Sequence, residues 1–310
     1  MALPRSEYLS DAWKDGIFCN KVVFCTGGGG TICSAQVRAL VHLGANACII
    51  GRNAGKTERM AQSLAKAREG AKVIGIGAVD VRDLKSLEAA VHRCANELGA
   101  IDYVIAGAAG NFLAPISGLS SNAFRTVLEI DTLGSYNTLK ATLPYLLVSA
   151  KKNQNTGRNK STGGRIIFVS ATFHYAGTPL QAHAAAAKAG VDAISATAAL
   201  EYGPQGITSN VITPGPIANT EGMARLGGNE DQESADAVFR SIPLQRYGTV
   251  KDIADGTVYL FSDTGNYITG AVLVIDGASW RSPSALGGLK YPGFLLDDSF
   301  TPTSGKKSKL

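Results

Sequence analysis

The most constraining stretch of this sequence is VVFCTGGGGTICSAQVRALVHLG, residues 22–44, in which a short apolar run leads through four glycines into a helical pattern. Glycines allow a tight turn and a close approach of the backbone to a pyrophosphate. The helix that follows offers N–H groups and the positive end of its dipole to the same anion. The order of strand, glycine loop and helix therefore predicts a dinucleotide-binding loop rather than a turn with a purely structural role. The residues expected to contact the cofactor are Gly27, Gly28, Gly29, Gly30, Thr31 and Ile32.

Short apolar runs and longer helical patterns alternate along the rest of the chain. Strands are predicted at residues 21–26, 46–50, 72–79, 102–106, 165–170, 209–213 and 271–276. Helices are predicted between them, for example at 54–69, 83–98 and 182–202. This alternation predicts the α/β class, with a single doubly wound parallel seven-stranded sheet of the Rossmann type that helices cover on both faces.

Domain organisation follows from the same pattern, because no linker and no internal repeat divides the chain. We expect an N-terminal extension at residues 1–17 and one dinucleotide-binding and catalytic domain at residues 18–280. A polar insertion is expected at 151–164 and an irregular tail at 281–310. No apolar run reaches the roughly 18 residues needed to span a bilayer, so no membrane span is predicted.

Charge and cysteine content argue against several classes of function. The net charge is +5, and much of it lies in KKNQNTGRNK (151–160) and in the final GKKSKL, where no aromatic residue stands among the basic ones. A nucleic-acid partner is therefore not predicted. The five cysteines show no CxxC or Cys/His spacing, so we predict reduced thiols and no metal site.

The last three residues, Ser308, Lys309 and Leu310, form the tripeptide SKL. At a free C-terminus this tripeptide is an address that the peroxisomal import receptor reads. A polar lead-in, TPTSGKK, precedes it. The sequence thus predicts a location in the peroxisomal matrix, with the import receptor as a partner.

The end of the second predicted strand indicates which nicotinamide cofactor binds. A carboxylate there would bind the ribose 2′-hydroxyl and disfavour a 2′-phosphate, but the sequence at that point is Gly51-Arg52-Asn53. The guanidinium of Arg52 suits a bidentate contact with phosphate, and an ordinary surface arginine is the alternative. We therefore predict NADP(H) over NAD(H), with Arg52 and Asn53 in the cofactor site.

Two further segments are predicted to complete the cofactor site. Asp80, placed at the end of the third strand, is expected to hydrogen-bond the adenine amino group, with Val81 beside it. The loop AGAAG, residues 106–110, is expected to pass beneath the adenine ribose. Ala108 and Gly110 in that loop therefore join the predicted contacts.

These pieces together resemble the short-chain dehydrogenase/reductase family over about residues 18–280. The resemblance rests on the TG loop, the VD that ends the third strand, the AGAAG loop, Lys188 and the PGPI sequence at 214–217. It implies that Lys188 binds the nicotinamide ribose. It also implies cofactor contacts from Pro214, Gly215, Pro216 and Ile217.

The catalytic set of the family is Asn, Ser, Tyr and Lys, and this chain departs from it at three positions. Asp131 stands at the Asn position, Ala171 at the Ser position with Ser170 beside it, and Ala184 at the Tyr position. Only Lys188 is kept. The usual acid for a carbonyl oxygen is therefore missing, which argues against ordinary carbonyl or alcohol chemistry.

One branch of that family, the peroxisomal 2,4-dienoyl-CoA reductases, is similar in AGAAGNFLAP, QAHAAAAKAGVDA, NVITPGPIANTEGMARLGG and the terminal SKL. The resemblance implies that hydride from NADPH reaches the δ-carbon of a 2,4-dienoyl-CoA, that a proton reaches the α-carbon, and that a 3-enoyl-CoA is released. Asp131 and Lys188 are then expected to hold a water that delivers the proton, with Tyr175 as a second candidate donor. The alternatives for these three residues are a structural carboxylate, a lysine that serves only the ribose, and a packing tyrosine.

The resemblance also implies where an acyl-CoA substrate binds. Asn111, Phe112 and Leu113 follow the fourth strand, at the edge where doubly wound sheets bind ligands, and are expected to contact the thioester and the acyl chain. The segment at 217–228 is expected to close over the substrate. The candidates for binding the phosphates of coenzyme A are Arg52, Arg82 and Arg225. Salt bridges on the protein's own surface are the alternative for the last two.

Two other functions stay open at this point. A peroxisomal trans-2-enoyl-CoA reductase would direct hydride at the β-carbon instead. A non-catalytic NADPH-binding protein would account for the three lost catalytic residues, although the retained lysine and the polar Asp131 argue against it. His174 and His183 are expected to be structural histidines. We also predict a homodimer or homotetramer, because the helices near 122–149 and 182–202 resemble those that pair across the dimer axis of the family.

Overall fold

The computed structural model describes residues 3–158, 163–226 and 242–281. Within them the strands are β1 Val22–Thr26, β2 Asn46–Ile50, β3 Val73–Ile76, β4 Tyr103–Ala106, β5 Arg165–Val169, β6 Thr208–Pro214 and β7 Val272–Ile275. All neighbouring pairs are parallel, and the order across the sheet is β3-β2-β1-β4-β5-β6-β7. This is the predicted doubly wound seven-stranded sheet. Successive strands are added on one side of β1 as far as β3 and on its other side from β4 onward. Such sheets bind ligands at the point between β1 and β4 where the strand order reverses.

Helices lie on both faces of the sheet. They are α1 Thr31–His42, α2 Ala54–Ala65, α3 Leu84–Leu98, α4 Ser121–Leu128, α5 Gly134–Lys152, α6 Phe173–Ala176, α7 Ala182–Tyr202, α8 Glu221–Leu226 and α9 Val250–Phe261. A π-helical turn, Glu129–Leu133, joins α4 to α5. None of the described helices has the length and apolar composition that a membrane-spanning helix requires.

The near-continuous apolar sequence of the strands follows from burial on both faces. Alternate residues of β1 belong to different cores: Val23 and Cys25 pack with apolar side chains of α1 and α9, whereas Val22 and Phe24 pack with those of α3 and α5. Period-two alternation directs neighbouring side chains of a strand to opposite faces. The five central strands are therefore almost completely buried, whereas the edge strands β3 and β7 are partly exposed. The polar side chains discussed below lie at the ends of the central strands.

The third strand is shorter than predicted and ends at Ile76 instead of residue 79. Ala78 has a φ of +56°, a left-handed conformation that interrupts a strand. Gly77 lies directly against α2, since a Cβ there would be 2.1 Å from Ala54 Cα. Asp80 consequently lies four residues beyond the strand end. The boundaries of β2 and α7, by contrast, agree with the prediction at both ends.

The N-terminal segment that the sequence marks as an extension packs onto the domain. Tyr8 and Leu9 are buried in the core formed with α1. Asp255 of α9 accepts hydrogen bonds from Ser10 N and from Trp13 Nε1, both at 2.9 Å. Packing is thus continuous across residue 18, the boundary expected from the pattern of strands and helices. Of the polar insertion expected at 151–164, the first two residues form the end of α5, and residues 159–162 lie outside the described residues, as does the tail from residue 282.

Candidate active site

The glycine loop between β1 and α1 is shaped by close backbone contacts. Gly27 has a φ of +66°, which favours glycine, and a Cβ built there would lie 2.8 Å from Gly107 O. A Cβ on Gly28 would lie 2.5 Å from the Cβ of Ile49. Gly30 is the N-cap of α1 and has no side chain to occupy the N–H groups of the first turn. The loop therefore has the form that a pyrophosphate requires.

In the TGxxxGxG pattern expected of such loops in the family, Thr31 and Cys33 stand at the second and third glycine positions. Gly107, directly after β4, leaves room for Cys33. The Sγ of Cys33 is buried, 3.7 Å from Gly107 O. A Cβ on Gly107 would lie only 2.3 Å from that sulfur, so the thiol fills the space which a side chain at 107 would need. Thr26 Oγ1 accepts hydrogen bonds from Gly107 N at 3.1 Å and from Ala108 N at 3.3 Å. The altered glycine spacing is thus compensated by packing between the loop and the end of β4.

Arg52 follows β2, at the edge where the cofactor ribose was predicted. Its side chain is exposed and makes no hydrogen bond or ion pair with the described residues. The neighbouring Asn53 caps α2, because its Oδ1 accepts from Lys56 N at 2.8 Å. Lys56 Nζ lies 2.5 Å from Glu221 Oε1 of α8. Among these residues Arg52 is therefore the cation that remains open to an added phosphate.

Asp80 and Arg82 form an ion pair with each other. Arg82 Nη2 lies 2.7 Å from Asp80 Oδ2, and the hydrogen bonds from Arg82 lower the pKa of the Asp80 carboxyl. This is the surface salt bridge that the sequence left as the alternative for Arg82. Val81 between them is buried, and its carbonyl accepts a hydrogen bond from Asn137 Nδ2 at 2.9 Å. Adenine recognition by Asp80 and coenzyme A binding by Arg82 stay predictions that would have to share or open this pair.

The PGPI loop after β6 is fixed by the strand and loop beside it. Gly215 N donates to Ile275 O at 3.0 Å, and a Cβ on Gly215 would lie 2.3 Å from the Cβ of Asp276. Pro216 O accepts from Gly248 N at 3.0 Å. Ile217 is buried. The backbone of this loop, which begins at Pro214, is thus held in one position at the carboxyl edge of the sheet, as a loop that binds the nicotinamide end of a cofactor would be.

Asp131 and Lys188 lie together at the centre of the candidate site. Asp131 Oδ2 is 3.1 Å from Lys188 Nζ, and the side chains are only 1% and 9% exposed. Asp131 Oδ1 accepts a hydrogen bond from Gly110 N at 2.7 Å, and Lys188 Nζ donates to Val169 O at 3.0 Å. The pair therefore connects the π-helical turn before α5 and helix α7 with the end of β5 and the loop after β4.

Asp131 reaches this position from an irregular helix. It lies in the π-helical turn Glu129–Leu133, where the backbone inserts an extra residue between α4 and α5. Such π-bulges often occur at functional sites, because they redirect a side chain out of the regular helical stripe. Helix was predicted near residues 122–149, and the π-helical turn within that stretch was not predicted.

The position that holds tyrosine in the family is buried in an apolar cluster. Ala184 is 1% exposed and packs with Val127 and Ala187. Phe112, Leu128 and Phe173 pack against the same cluster. The face of α7 one turn before Lys188 therefore carries no proton donor. Ala171 stands at the family's serine position, and Ser170 directly precedes it. The hydroxyl of Ser170 is buried and makes no hydrogen bond with the described residues.

Tyr175 hydrogen-bonds to groups other than Asp131 and Lys188. Its hydroxyl donates to Asp192 Oδ2 at 3.0 Å and lies 3.3 Å from Thr213 Oγ1. Burial raises its pKa to about 12, and the charge of Asp192 acts in the same direction. His174 Nε2 lies 2.9 Å from the same Asp192 oxygen. The sequence interpretation missed Asp192, although its i+4 spacing from Lys188 places it on the same side of α7.

The predicted substrate residues follow Gly110 in a short segment that is neither helix nor strand. His183 Nε2 lies 3.0 Å from Phe112 O, and the two rings are stacked with centroids 4.2 Å apart. Asn111 Oδ1 accepts from Phe112 N at 2.8 Å. Leu113 is 41% exposed. Arg225 lies on α8, but its side chain and residues 227–241 lie outside the described part of the structure, so the predicted closing segment is seen only as far as Leu226.

Comparison with known proteins agrees with this geometry. Residues 29–278 match a family model described as enoyl-(acyl carrier protein) reductase. The chain is 47% identical to a peroxisomal 2,4-dienoyl-CoA reductase, (3E)-enoyl-CoA-producing, from Saccharomyces cerevisiae, with 92% of each chain covered. It is 40% identical to the peroxisomal 2,4-dienoyl-CoA reductase of Danio rerio, over 86% of this chain and 84% of the relative.

Solved structures lead to the same family. A crystal structure of a short chain dehydrogenase from Bacillus anthracis is similar with a TM-score of 0.71 and 31% identity, over 84% of this chain and 96% of that one. The family model covers the dinucleotide loop from Gly29 onward, together with the Asp131–Lys188 pair and the PGPI loop. The chain therefore belongs to the short-chain dehydrogenase/reductase family.

Proposed function

We propose that this protein is an NADPH-dependent reductase that converts 2,4-dienoyl-CoA thioesters to 3-enoyl-CoA in peroxisomal fatty-acid β-oxidation. The observation that carries the proposal is the buried Asp131–Lys188 pair next to an alanine at the family's tyrosine position. The names of the relatives from yeast and zebrafish support the same reaction. A step that protonates carbon has no use for a tyrosine directed at a carbonyl oxygen.

The fit of the chain to NADPH rests on its own residues. The loop Gly27–Gly30 leaves no room for side chains at its first two positions, which is the form of a pyrophosphate cradle. The unpaired guanidinium of Arg52 is suited to a ribose 2′-phosphate, and no carboxylate follows β2 to favour a free 2′-hydroxyl. NADPH bound there supplies the hydride. Pro214, Gly215, Pro216 and Ile217 are proposed to hold its nicotinamide end.

Asp131 and Lys188 are proposed to organise the proton. An ammonium group has three N–H donors, and Val169 O and Asp131 Oδ2 accept two of them. The third is left for a cofactor ribose hydroxyl or for a water. We propose that such a water gives a proton to the α-carbon and takes one in turn from the Lys188 ammonium, so that no hydroxide is left, while hydride reaches the δ-carbon and the double bond moves to carbons 3 and 4.

The thioester oxygen carries negative charge while the proton is being transferred, so it needs hydrogen-bond donors. Lys188 lowers the energy of an anion nearby through its charge. The hydroxyl of Ser170, directly after β5, has no hydrogen-bond partner among the described residues and is a further donor available in this region. Tyr175 is a weaker proton source than the pair, because its hydroxyl already donates to Asp192 and its pKa is raised to about 12.

A second candidate is a trans-2-enoyl-CoA reductase, and the description of the matching family model, enoyl-(acyl carrier protein) reductase, favours it. The two reactions are separated by following NADPH oxidation with 2,4-hexadienoyl-CoA and with 2-hexenoyl-CoA. Faster turnover of the dienoyl thioester supports the proposal, and faster turnover of the enoyl thioester contradicts it. NADPH binding without turnover of either would instead indicate a non-catalytic protein.

Location and assembly are proposed on separate grounds. The relatives are named peroxisomal, and the terminal Ser308-Lys309-Leu310 provides an address for matrix import. Deleting Leu310 should leave an active protein in the cytosol, and continued import would reject this proposal. Exposed apolar side chains on α5 and α7, such as Val148 and Leu200, support a homodimer or homotetramer. A monomer in light scattering at micromolar concentration would contradict it.

A further inference from the structure

The substrate segment 110–114 is fastened at every second residue. Gly110 N donates to Asp131 Oδ1 at 2.7 Å, Phe112 O lies 3.0 Å from His183 Nε2, and Ala114 N donates to Leu180 O at 3.1 Å. The first bond reaches the proton-delivering pair, and the other two reach the start of α7. The segment is therefore held by three hydrogen bonds, in which Gly110 N and Ala114 N donate and Phe112 O accepts.

His183 makes the middle contact with both its ring face and its nitrogen. The side chain is completely buried, and its ring lies 4.2 Å from that of Phe112 at an interplanar angle of 22°. A carbonyl oxygen can only accept, so Nε2 must carry the proton. Nδ1 is then a lone-pair acceptor, and it is buried without a hydrogen-bond partner among the described residues. Burial also lowers the pKa of this imidazole, which keeps it neutral.

Asn111 and Leu113 flank Phe112 in this segment and are the other two residues predicted to contact the substrate. Leu113 is 41% exposed, so its side chain is accessible to an added apolar group. Asn111 uses its Oδ1 on Phe112 N, and this contact orients its amide N–H groups.

We propose that His183 is a positioning residue for the acyl-CoA substrate. By holding the carbonyl and the ring of Phe112, it fixes the segment 110–114, and with it Asn111 and Leu113, which are expected to contact the thioester and the acyl chain. This inference rests on the proposed function. It goes beyond that function because His183 was expected to have only a structural role, and because it links a buried side chain of α7 to the residues predicted to bind the substrate.

The position of the segment bears directly on catalysis, since Gly110 and Phe112 are only two residues apart. A shift at Phe112 would pull on the hydrogen bond from Gly110 N to Asp131, and so on the partner of Lys188. Misplacement of a substrate by about 1 Å can cost about 10²-fold in rate. His183 therefore acts on the reaction through the segment, without contact with the reacting atoms.

The test uses three variants that separate the ring from the donor. His183→Phe keeps the stacked ring and removes the N–H, His183→Gln keeps a donor of similar reach and removes the ring, and His183→Ala removes both. We expect His183→Phe to raise the KM for 2,4-hexadienoyl-CoA about 10-fold or more, with the KM for NADPH unchanged. His183→Gln should recover most of the loss, and His183→Ala should be the most impaired. The control is His42→Phe, at a histidine of α1 that contacts Tyr8 and Arg5.

Amide hydrogen exchange provides a readout that does not depend on turnover. In the full-length protein without ligands, exchange at residues 110–114 should be faster in His183→Phe than in the wild type and in His183→Gln. If the wild type turns over dienoyl-CoA but His183→Phe retains its KM and its exchange rates, the inference is wrong while the proposed function stands. If the wild type has no activity, the proposed function fails, and the exchange rates alone decide whether His183 fixes the segment.

Discussion

Lys188 Nζ lies 3.1 Å from Asp131 Oδ2, and the two side chains are 9% and 1% exposed. Two charges withdrawn from water are costly unless their remaining donors and acceptors are also satisfied. Here the second carboxylate oxygen receives Gly110 N, and the ammonium donates to Val169 O. Among the described residues, no group accepts the third N–H of the lysine. The pair can therefore polarise one further group through this single donor. That arrangement suits the activation of one water or the binding of one ribose hydroxyl.

Asp131→Asn should lower kcat by about 10²–10⁴-fold, the range typical of groups that organise proton transfer. The amide oxygen can still accept Gly110 N, so the substrate segment keeps its first attachment and NADPH should bind as before. Breaking a buried ion pair also costs about 3–5 kcal/mol, so thermal unfolding is followed in parallel and rates are compared where both proteins are folded.

Asp255→Asn is the matched control for this substitution, since Asp255 lies on α9 and binds the N-terminal segment. It should affect stability and leave kcat unchanged. Near-full turnover by Asp131→Asn would mean that the proton comes from another group or from bulk water.

Arg52→Ala should remove most of the preference for NADPH over NADH. A hydrogen bond to a charged group contributes about 1.5–3 kcal/mol, which corresponds to a loss of roughly 10–10²-fold in NADPH affinity. NADH has no 2′-phosphate, so its affinity should hardly change. Titration of nicotinamide fluorescence measures both constants. Arg93→Ala, at an exposed arginine of α3 that pairs with Glu97, is the control. Equal affinity of the wild type for the two cofactors would reject the assignment.

Tyr175→Phe should leave kcat near neutral pH within about threefold of the wild type, because the hydroxyl is bound to Asp192 and is not the proposed donor. The same variant tests its titration. The tyrosine pKa is raised from 10.0 to about 12 in the folded protein, so its stabilising effect is complete below about pH 10 and is lost between about pH 10 and 12. The free energy of unfolding should therefore fall less steeply over that interval in Tyr175→Phe. A collapse of kcat at neutral pH would make Tyr175 the proton source.

Ala184→Tyr restores the family's tyrosine but should not accelerate reduction of a dienoyl-CoA. Ala184 is buried against Val127, with Phe112 and Phe173 packed on the same cluster, so a phenol ring there must displace one of these side chains. We expect lower stability and a higher KM for the acyl-CoA. Thermal unfolding and steady-state kinetics measure the two effects. A marked increase in kcat would show that the position takes part in proton transfer after all.

The elements of the fold were predictable because their signals are local. Continuous apolar runs predicted the strands, and the alanine-rich pattern predicted α7 with both of its ends. The glycine loop was predictable from its place between a strand and a helix. The early end of β3 was not, because it depends on the left-handed conformation of Ala78 and on the contact between Gly77 and α2. No residue in the run KVIGIGAV carries that information.

The candidate site was predictable only in part. Matching to the family gave Asp131 and Lys188 as individual residues, but not the π-helical turn that places Asp131 beside the lysine. Tyr175 hydrogen-bonds to Asp192, and His183 hydrogen-bonds to Phe112. Both contacts join residues that are far apart in the sequence. Long-range contacts of this kind leave no periodic signal. The packing of Cys33 against Gly107 is a similar case, because the thiol of Cys33 occupies space that is free only since Gly107 has no side chain.

The most direct test of the account follows isotopes into the product of 2,4-hexadienoyl-CoA reduction. One reaction uses NADPH with deuterium at the transferred position in ordinary water, and the other uses unlabelled NADPH in heavy water. The account predicts a 3-enoyl-CoA with deuterium on carbon 5 in the first reaction and on carbon 2 in the second, as located by nuclear magnetic resonance. Deuterium from the cofactor on carbon 3, or no consumption of NADPH, would contradict it.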